Sequence, residues 1–325
     1  MKAVWYDRTG GSEVLTYGEL PTPTPGPGEV LVRLAASGVN PSDWKTRRGS
    51  SRPMAFPRVI PHSDGAGTIE AVGEGVDRGR IGQRVWIWNG QWKRPFGTAA
   101  DYIALPEIQA VPLPEGTGFD AGACLGIPAL TALHALVTDG GVTGQRVLVT
   151  GGAGSVGHYA IQFARLLGAA QVIATVSGAA KAAHAMDAGA DATVNYRAED
   201  VPARVMELTA GQGVDRVVEV DLAGNGPMIH KLCAHGAVVG AYGSNTQEAI
   251  FPFSPTIVKG IGVRFFIVYE LTAPQRAQAV GALQSWLARG LVRHAIAARM
   301  PLAECAAAHD AVEGGALMGN LVLDC

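Results

Sequence analysis

Residues 146–169 read RVLVTGGAGSVGHYAIQFARLLGA, and the fold is decided by how this stretch is read. RVLVT is a short β-branched run of the kind that fills a buried strand, and residues 156–167 (VGHYAIQFARLL) repeat their apolar positions with a helical period. Between them Gly152-Ala-Gly154-Ser-Val-Gly157 matches G-x-G-x-x-G. A lone match of this kind is weak. Its place, directly after a strand and directly before a helix, gives it weight. Gly152 is expected to permit the tight turn, Gly154 to let the backbone approach a pyrophosphate, and Gly157 to let the helix pack on the strand. The first helical amides, those of Ser155 and Val156, would face the anion. A strand–helix turn without a ligand is the plain alternative.

Strands and helices continue to alternate on the C-terminal side of this turn. Residues 171–176 (QVIATV), 192–195, 215–220 (DRVVEV) and 237–241 (AVVGA) read as strands, and residues 179–188 as a helix, a pattern that indicates a doubly wound parallel sheet over residues 124–261. Residues 1–123 have another texture. Short β-type runs such as 29–34 (EVLVRL), 68–72 (TIEAV) and 84–88 (RVWIW) are separated by Gly- and Pro-rich turns, which argues for a compact, partly barrel-like β domain. Residues 262–325, with helical patterns at 274–289 and 302–313 and a strand at 320–323, are expected to return to that first domain.

Composition excludes several classes. The 325 residues are 48% hydrophobic and 17% charged, enough apolar material for two cores, and the net charge of −2 offers no general attraction to nucleic acid or to anionic membranes. The N-terminus MKAVWYDRTGG lacks a signal-peptide core, and no apolar run reaches spanning length. Cys124, Cys233, Cys305 and Cys325 are scattered without a C-x-x-C pair, which argues against a disulfide framework or a clustered zinc site and for a reducing, cytoplasmic setting.

The choice of cofactor is also written in the chain. An NAD-preferring site carries Asp or Glu at the end of the second strand, to hold the ribose 2′-hydroxyl. Here that end is Thr175-Val-Ser177-Gly178-Ala-Ala-Lys181, without an acid. Ser177 and Lys181 could hold a 2′-phosphate instead, which indicates NADPH; a solvated helix lysine is the alternative.

Four motifs now stand in register: Gly38-Val-Asn40-Pro41-Ser-Asp43, Pro61-His62-Ser63-Asp64-Gly65-Ala-Gly67, Gly126-Ile127-Pro128-Ala-Leu-Thr131 and the 152–157 turn. In this order the chain resembles, over nearly its whole length, the zeta-crystallin-like quinone oxidoreductases of the medium-chain dehydrogenase/reductases. The resemblance implies an α/β protein with a GroES-like catalytic domain, an inserted Rossmann domain, and NADPH-dependent hydride transfer in the cleft between them to a quinone or a conjugated carbonyl. Enoyl or alkenal reduction, and a non-catalytic NADPH-binding or RNA-binding role, are the competing functions. The positions that hold catalytic zinc in alcohol dehydrogenases correspond to Asn40, Ser63 and Ile127, a poor set of ligands, so no metal is expected there. His62 could be a pocket donor or a turn histidine satisfied by backbone.

The resemblance also nominates residues. Asn40 would anchor ribose or a substrate oxygen, or else brace the turn before Pro41, with Asp43 supporting that loop. Thr131 would lie beside the nicotinamide. Tyr242 and Ser244 would face the ribose or the ring, Tyr196 the adenine end, and Phe266 the nicotinamide or a helix interior; outside the resemblance both tyrosines read equally as half-buried packing residues. Lys45 stands where many relatives carry a pocket tyrosine, and Asn320 where a base often reaches the cofactor. Lys45, Arg47, Arg48 and Arg52 form a basic patch, expected as a solvated loop, with attraction of an anionic substrate such as a coenzyme A thioester, or of RNA, as the alternatives. Trp86, Trp88 and Trp92 are either acceptor-stacking or core residues. Residues 257–269 (IVKGIGVRFFIVY) read as a final apolar edge strand that would pair with its copy in a homodimer, so that a charge at Val263 would dissociate it.

Overall fold

The computed structural model describes residues 1–50 and 53–325, so Arg52 lies outside the described residues. The chain divides into two compact units, residues 1–127 with 284–325, and residues 128–283.

In the first unit the chain runs through β1 (Lys2–Trp5), β2 (Thr16–Glu19), β3 (Glu29–Val39), α1 (Pro41–Arg48), β4 (Asp64–Val72), β5 (Arg84–Ile87), β6 (Tyr102–Pro106), β7 (Ala110–Pro112) and α2 (Phe119–Gly122). β1 and β2 form a separate hairpin. The main sheet follows the order β14-β15-β3-β4-β5-β7, with β6 also paired to β3; β14 (Ile296–Pro301) and β15 (Asn320–Asp324) come from the end of the chain, on either side of α10 (Cys305–Glu313). β15 joins β3 in antiparallel register, Leu321 opposite Val39, which ties the C-terminus to the N-terminal strands. Val30, Val32, Leu34, Ile69, Val85, Ile87, Ile103 and Leu105 fill one core of this sheet. Val39, Ile60, Cys305, Ala308, Leu321 and Leu323 belong to another, beneath α10.

The second unit runs α3 (Leu130–Val137), β8 (Arg146–Val149), α4 (Ser155–Leu166), β9 (Gln171–Val176), α5 (Ala179–Asp187), β10 (Ala192–Asn195), α6 (Val201–Leu208), β11 (Val214–Glu219), α7 (Leu222–Leu232), β12 (Cys233–Ala241), α8 (Phe253–Val258), β13 (Gly262–Phe265) and most of α9 (Ala273–Ala288), which runs past the boundary at 283/284. Its six parallel strands lie in the order β10-β9-β8-β11-β12-β13. Counted from β8 this is 3-2-1-4-5-6, the doubly wound arrangement in which the strand order reverses between β8 and β11. Ligands bind outside the carboxyl ends of the strands at that switch point, and the 152–157 turn leaves β8 there.

Two expectations need correction. The second boundary falls at 283/284 and not at 261/262, because β13 pairs in parallel with β12, Val263 opposite Val239, and so completes the Rossmann sheet; the first moves from 123/124 to 127/128. The edge strand is also four residues long rather than thirteen. Ile257 and Val258 end α8, and Gly260, at φ 61°, turns the chain before the strand begins.

Candidate functional site

The strand β8 delivers Thr150 and a run of glycines to the carboxyl edge of the second unit's sheet. Gly151 takes the left-handed φ of 67°, so the tight turn is made there and not at Gly152. Gly152 is required for space: a Cβ on it would lie 2.6 Å from the Ala174 Cβ on β9. Gly157 is tighter still, with a Cβ 2.3 Å from the Gly151 carbonyl oxygen, so a side chain would push α4 away from the turn. Gly154 has ordinary room, its nearest neighbour being the Gly151 oxygen at 3.4 Å. The backbone is therefore open to an approaching group at Gly154, and α4 begins at the next residue, with the amides of Ser155 and Val156 in its first turn. Two bonds fix the turn to β9: the Gly151 N–H donates to the Thr175 hydroxyl at 3.1 Å and the Gly152 N–H to the Thr175 carbonyl at 2.9 Å.

Beyond β9, Ser177 and Gly178 lead into α5, and Lys181 occupies its first turn; all three are partly exposed. The first acid after β9 is Asp187, at the far end of α5. Tyr196 follows β10, its N–H donating to the Val176 carbonyl at 3.0 Å and its side chain exposed.

A cavity of about 1050 Å³ opens at the carboxyl ends of β12 and β13, and Tyr242, Ser244 and Phe266 line it together with His134. The Phe266 ring meets His134 edge-on at 4.6 Å and stands 6.3 Å from Tyr242. Burial pushes the Tyr242 phenol up and the His134 imidazole down, so both are neutral in the physiological range. The Ser244 hydroxyl accepts from the Ala223 N–H at 3.3 Å, at the start of α7. Thr131 is buried in the first turn of α3.

Sequence reasoning passed over Glu219, the last residue of β11. It is fully buried, and one carboxylate oxygen accepts from the Thr150 hydroxyl at 3.1 Å, the Asp221 N–H at 2.5 Å and the Asn225 amide at 2.8 Å. This joins β8, where the glycine turn begins, to the start of α7. Desolvation holds its pKa above the usual carboxylate range. An acid ending the apolar run VVE was the available signal.

In the first unit the structure brings Asn40, Asp43 and Ile127 together around Asp64. The Asp64 carboxyl oxygen Oδ2 accepts from the Asn40 side-chain amide at 2.9 Å and from the Ile127 N–H at 3.0 Å. Asp64 is fully buried, and desolvation raises its pKa. Asp43 accepts from the Asn40 backbone N–H at 2.7 Å and closes a capping box at the start of α1, with Pro41 in the first helical turn. The expected basic loop is thus a helix. Gly49, at φ 76°, ends it, and Arg47 faces inward, fully buried, with Glu313 of α10 at 3.2 Å. Arg48 pairs with the same Glu313 at 2.6 Å, while Lys45 is half-buried against the Trp44 ring.

Other nominated residues have local duties. The Asn320 amide donates to the Ala295 carbonyl at 3.0 Å, pinning the segment before β14. Trp86 is a core residue; Trp88 and Trp92 are partly buried. His62 is neither a pocket donor nor satisfied by backbone. It is fully buried, and its ring bonds Ser37 at 2.9 Å and His309 at 2.9 Å.

The donor set does not fit a catalytic zinc. Asn40 spends an amide hydrogen on Asp64, Ile127 offers a backbone N–H to the same carboxyl, and Ser63 supplies at most a buried hydroxyl.

Residues 26–115 match the alcohol dehydrogenase GroES-like domain, and residues 155–285 the zinc-binding dehydrogenase family. The quinone oxidoreductase of Rattus norvegicus is 31% identical over 99% of this chain and 97% of its own length. Among solved structures, an NAD-dependent alcohol dehydrogenase superposes with a TM-score of 0.90 at 30% identity, covering 100% of both chains. Escherichia coli quinone oxidoreductase complexed with NADPH superposes with a TM-score of 0.90 at 26% identity, again covering 100% of both. Similarity at 31% over essentially full length places the chain: it belongs to the quinone oxidoreductase family of the medium-chain dehydrogenase/reductases.

Proposed function

We propose that this chain is an NADPH-dependent oxidoreductase that reduces a quinone or a related conjugated carbonyl without a catalytic metal. The observation that carries the reading is the turn at the switch point. Gly154 is open to an incoming group at the start of a twelve-residue helix, and the segment after the next strand carries Ser177 and, in the first turn of α5, Lys181, without an acid. Backbone N–H groups at a helix start favour the pyrophosphate, and a lysine in place of an acid favours a 2′-phosphate. The relatives support the same assignment: the rat homologue is a quinone oxidoreductase, and the Escherichia coli enzyme is complexed with NADPH.

Bound NADPH supplies the hydride. The chain's residues position and enclose. Tyr242 and Phe266 offer aromatic faces and a neutral, desolvated wall, against which a planar ring stacks. Asn40, oriented by Asp64 and Asp43, has one amide hydrogen left after its bond to Asp64, a donor for a ribose or acceptor oxygen. A quinone spreads the added charge onto its own oxygens, so the Lewis acid that a simple carbonyl needs is dispensable, and solvent supplies the proton. The cysteines are free thiols, which suits the reducing, cytoplasmic setting proposed here, and no described helix is long and apolar enough to cross a membrane. We also assign a homodimer paired along the edge strand β13, whose Phe265 is 70% exposed; Ile267 and, on α8, Ile257 and Val258 are exposed as well.

The test is oxidation of NADPH, followed against quinones, alkenals and enoyl thioesters. Turnover highest with quinones supports the proposal. Turnover confined to alkenals or thioesters moves the chain to double-bond reduction, and none with any acceptor overturns catalysis.

A further inference from the structure

We propose that His62, Cys305 and His309 form a buried site for a thiophilic d10 cation, Zn²⁺ or Cu⁺, inside the first unit and separate from the Asn40, Ser63 and Ile127 positions. Cys305 and His309 are four residues apart on α10, so they project from one face of the helix, toward His62 in the segment before β4. All three are buried, and their ligand atoms lie within 4.8 Å of one another. The two imidazole Nε2 atoms are 2.9 Å apart, and the Cys305 Sγ is 3.9 Å from the Nε2 of His62.

The hydrogen bonds around His62 fix its tautomer. The Thr98 hydroxyl donates its single proton to the Asp64 carbonyl at 2.6 Å, so the bond between Ser37 and Thr98, at 2.8 Å, is donated by Ser37. The Ser37 oxygen then accepts from the His62 Nδ1–H at 2.9 Å. His62 therefore carries its proton on Nδ1 and turns the lone pair of Nε2 toward His309. An outer partner on the second ring nitrogen is what orients a metal-ligating histidine. Without an ion, one proton on the His309 Nε2 holds the pair, and that choice leaves the His309 Nδ1 buried with no partner among the described residues.

Replacing that proton by a cation requires small changes. Two nitrogens bound at about 2.0–2.1 Å to one tetrahedral ion stand roughly 3.3 Å apart, so the rings separate by about 0.4 Å. The Cys305 thiol gives up its proton to solvent, its sulfur forms the metal–thiolate bond, and the His309 proton moves to Nδ1; one proton is released per ion. Burial already keeps both imidazoles neutral, the form that ligates. One thiolate and two imidazoles are a soft donor set. Arg47, buried nearby, lowers the tolerance for excess positive charge, and Asp43 offsets it in part.

The experiment uses the full chain, expressed with Zn²⁺ or with copper in the medium, purified under reductant and analysed for bound metal. Apoprotein is then titrated with Co²⁺ as a spectroscopic probe, and anaerobically with Cu⁺ against a chromogenic chelator. One equivalent of either native ion, together with a thiolate-to-cobalt charge-transfer band, is expected. Zinc alone marks a dication site and copper alone a monovalent one. Cys305→Ser should abolish the band and the binding, Cys233→Ser should leave both, and Ser37→Ala should weaken affinity by about 10–100-fold. No stoichiometric ion in protein expressed with either metal overturns the proposal, as does uptake that survives Cys305→Ser. NADPH binding, read in parallel, is expected to be unaffected by the Cys305 variant.

Discussion

Two alanine substitutions in one turn separate packing from ligand approach. At Gly157 a Cβ would sit 2.3 Å from the Gly151 oxygen and 2.8 Å from the Gly152 Cα, and neither neighbour is a flexible side-chain end. Relief requires α4 to move by about 1 Å, and overpacking of this kind costs roughly 1–3 kcal/mol. For a unit the size of residues 128–283 each kcal/mol lowers Tm by about 2–4 °C. The same movement carries the Ser155 and Val156 amides off the phosphate. Loss of one charge-assisted bond, about 1.5–3 kcal/mol, weakens NADPH by roughly 10- to 150-fold. Gly154→Ala is the contrast. Its φ of −78° and ψ of 172° suit alanine, and its nearest neighbour is at 3.4 Å. Tm should stay within about 2 °C of wild type or rise slightly, since alanine restricts the unfolded chain. NADPH affinity should nonetheless drop about tenfold or more, because the new methyl occupies the surface the pyrophosphate approaches. Differential scanning calorimetry and isothermal titration supply both readouts. Wild-type NADPH affinity in Gly154→Ala would remove the pyrophosphate from this turn, and an unchanged Tm in Gly157→Ala would show that α4 is not held against it.

Four further outcomes follow from the same geometry. Lys181→Ala should weaken NADPH by about fivefold, on the order of 1 kcal/mol for a partly exposed charge contact, and leave NADH unchanged; equal losses for both cofactors count against the 2′-phosphate role. Glu219 has a folded pKa raised by burial, so its contribution to stability is fully present below the ordinary carboxylate pKa near 4 and fades as pH rises through the folded value. Glu219→Gln removes that titration, so its Tm should gain on wild type as pH increases, whereas parallel curves between pH 5 and 9 refute the assignment. Phe265→Asp should convert a dimer to a monomer in light scattering with little change in Tm; Val263 is a poorer test, because it packs partly against the core of its own unit. Exhaustive chelation should leave turnover unchanged, and activity that vanishes and returns with zinc would reinstate a catalytic metal.

What the sequence made legible was local. Residues 171–176 and 192–195 coincide with β9 and β10, because short β-branched runs between turn residues leave little choice of boundary. The helix α1 was hidden because PSDWKTRR lacks an apolar stripe; its buried residues are Asp43 and Arg47, and its ends are set by Pro41, the Asp43 cap and Gly49. The helix α3 was hidden for the opposite reason, since residues 130–136 are buried on every side and carry no period. Gly224, Gly226 and Pro227 obscured α7, which forms behind the Asp221 cap. In β13 a continuous apolar run concealed a turn at Gly260 and made the strand look three times longer than it is.

The site divides along the same line. The glycine turn is readable because each glycine answers a short-range constraint. Asp64, Glu219 and His309 are not readable, because their roles arise from partners brought together only in the folded chain: Ile127 lies 63 residues from Asp64, Thr150 lies 69 residues from Glu219, and His309 lies 247 residues from His62. Each carboxyl binds residues that the motifs single out, Asn40 and Ile127 in one unit, Thr150 at the head of the glycine turn in the other. Removing such a hub strands two buried or partly buried donors, Asn40 and Ile127 at Asp64 and Asp221 and Asn225 at Glu219, at about 1–3 kcal/mol each at most. Lys45 is half-buried and rests on Trp44, so its replacement strands no buried donor of this kind. Position 45 can therefore change while the hubs stay fixed.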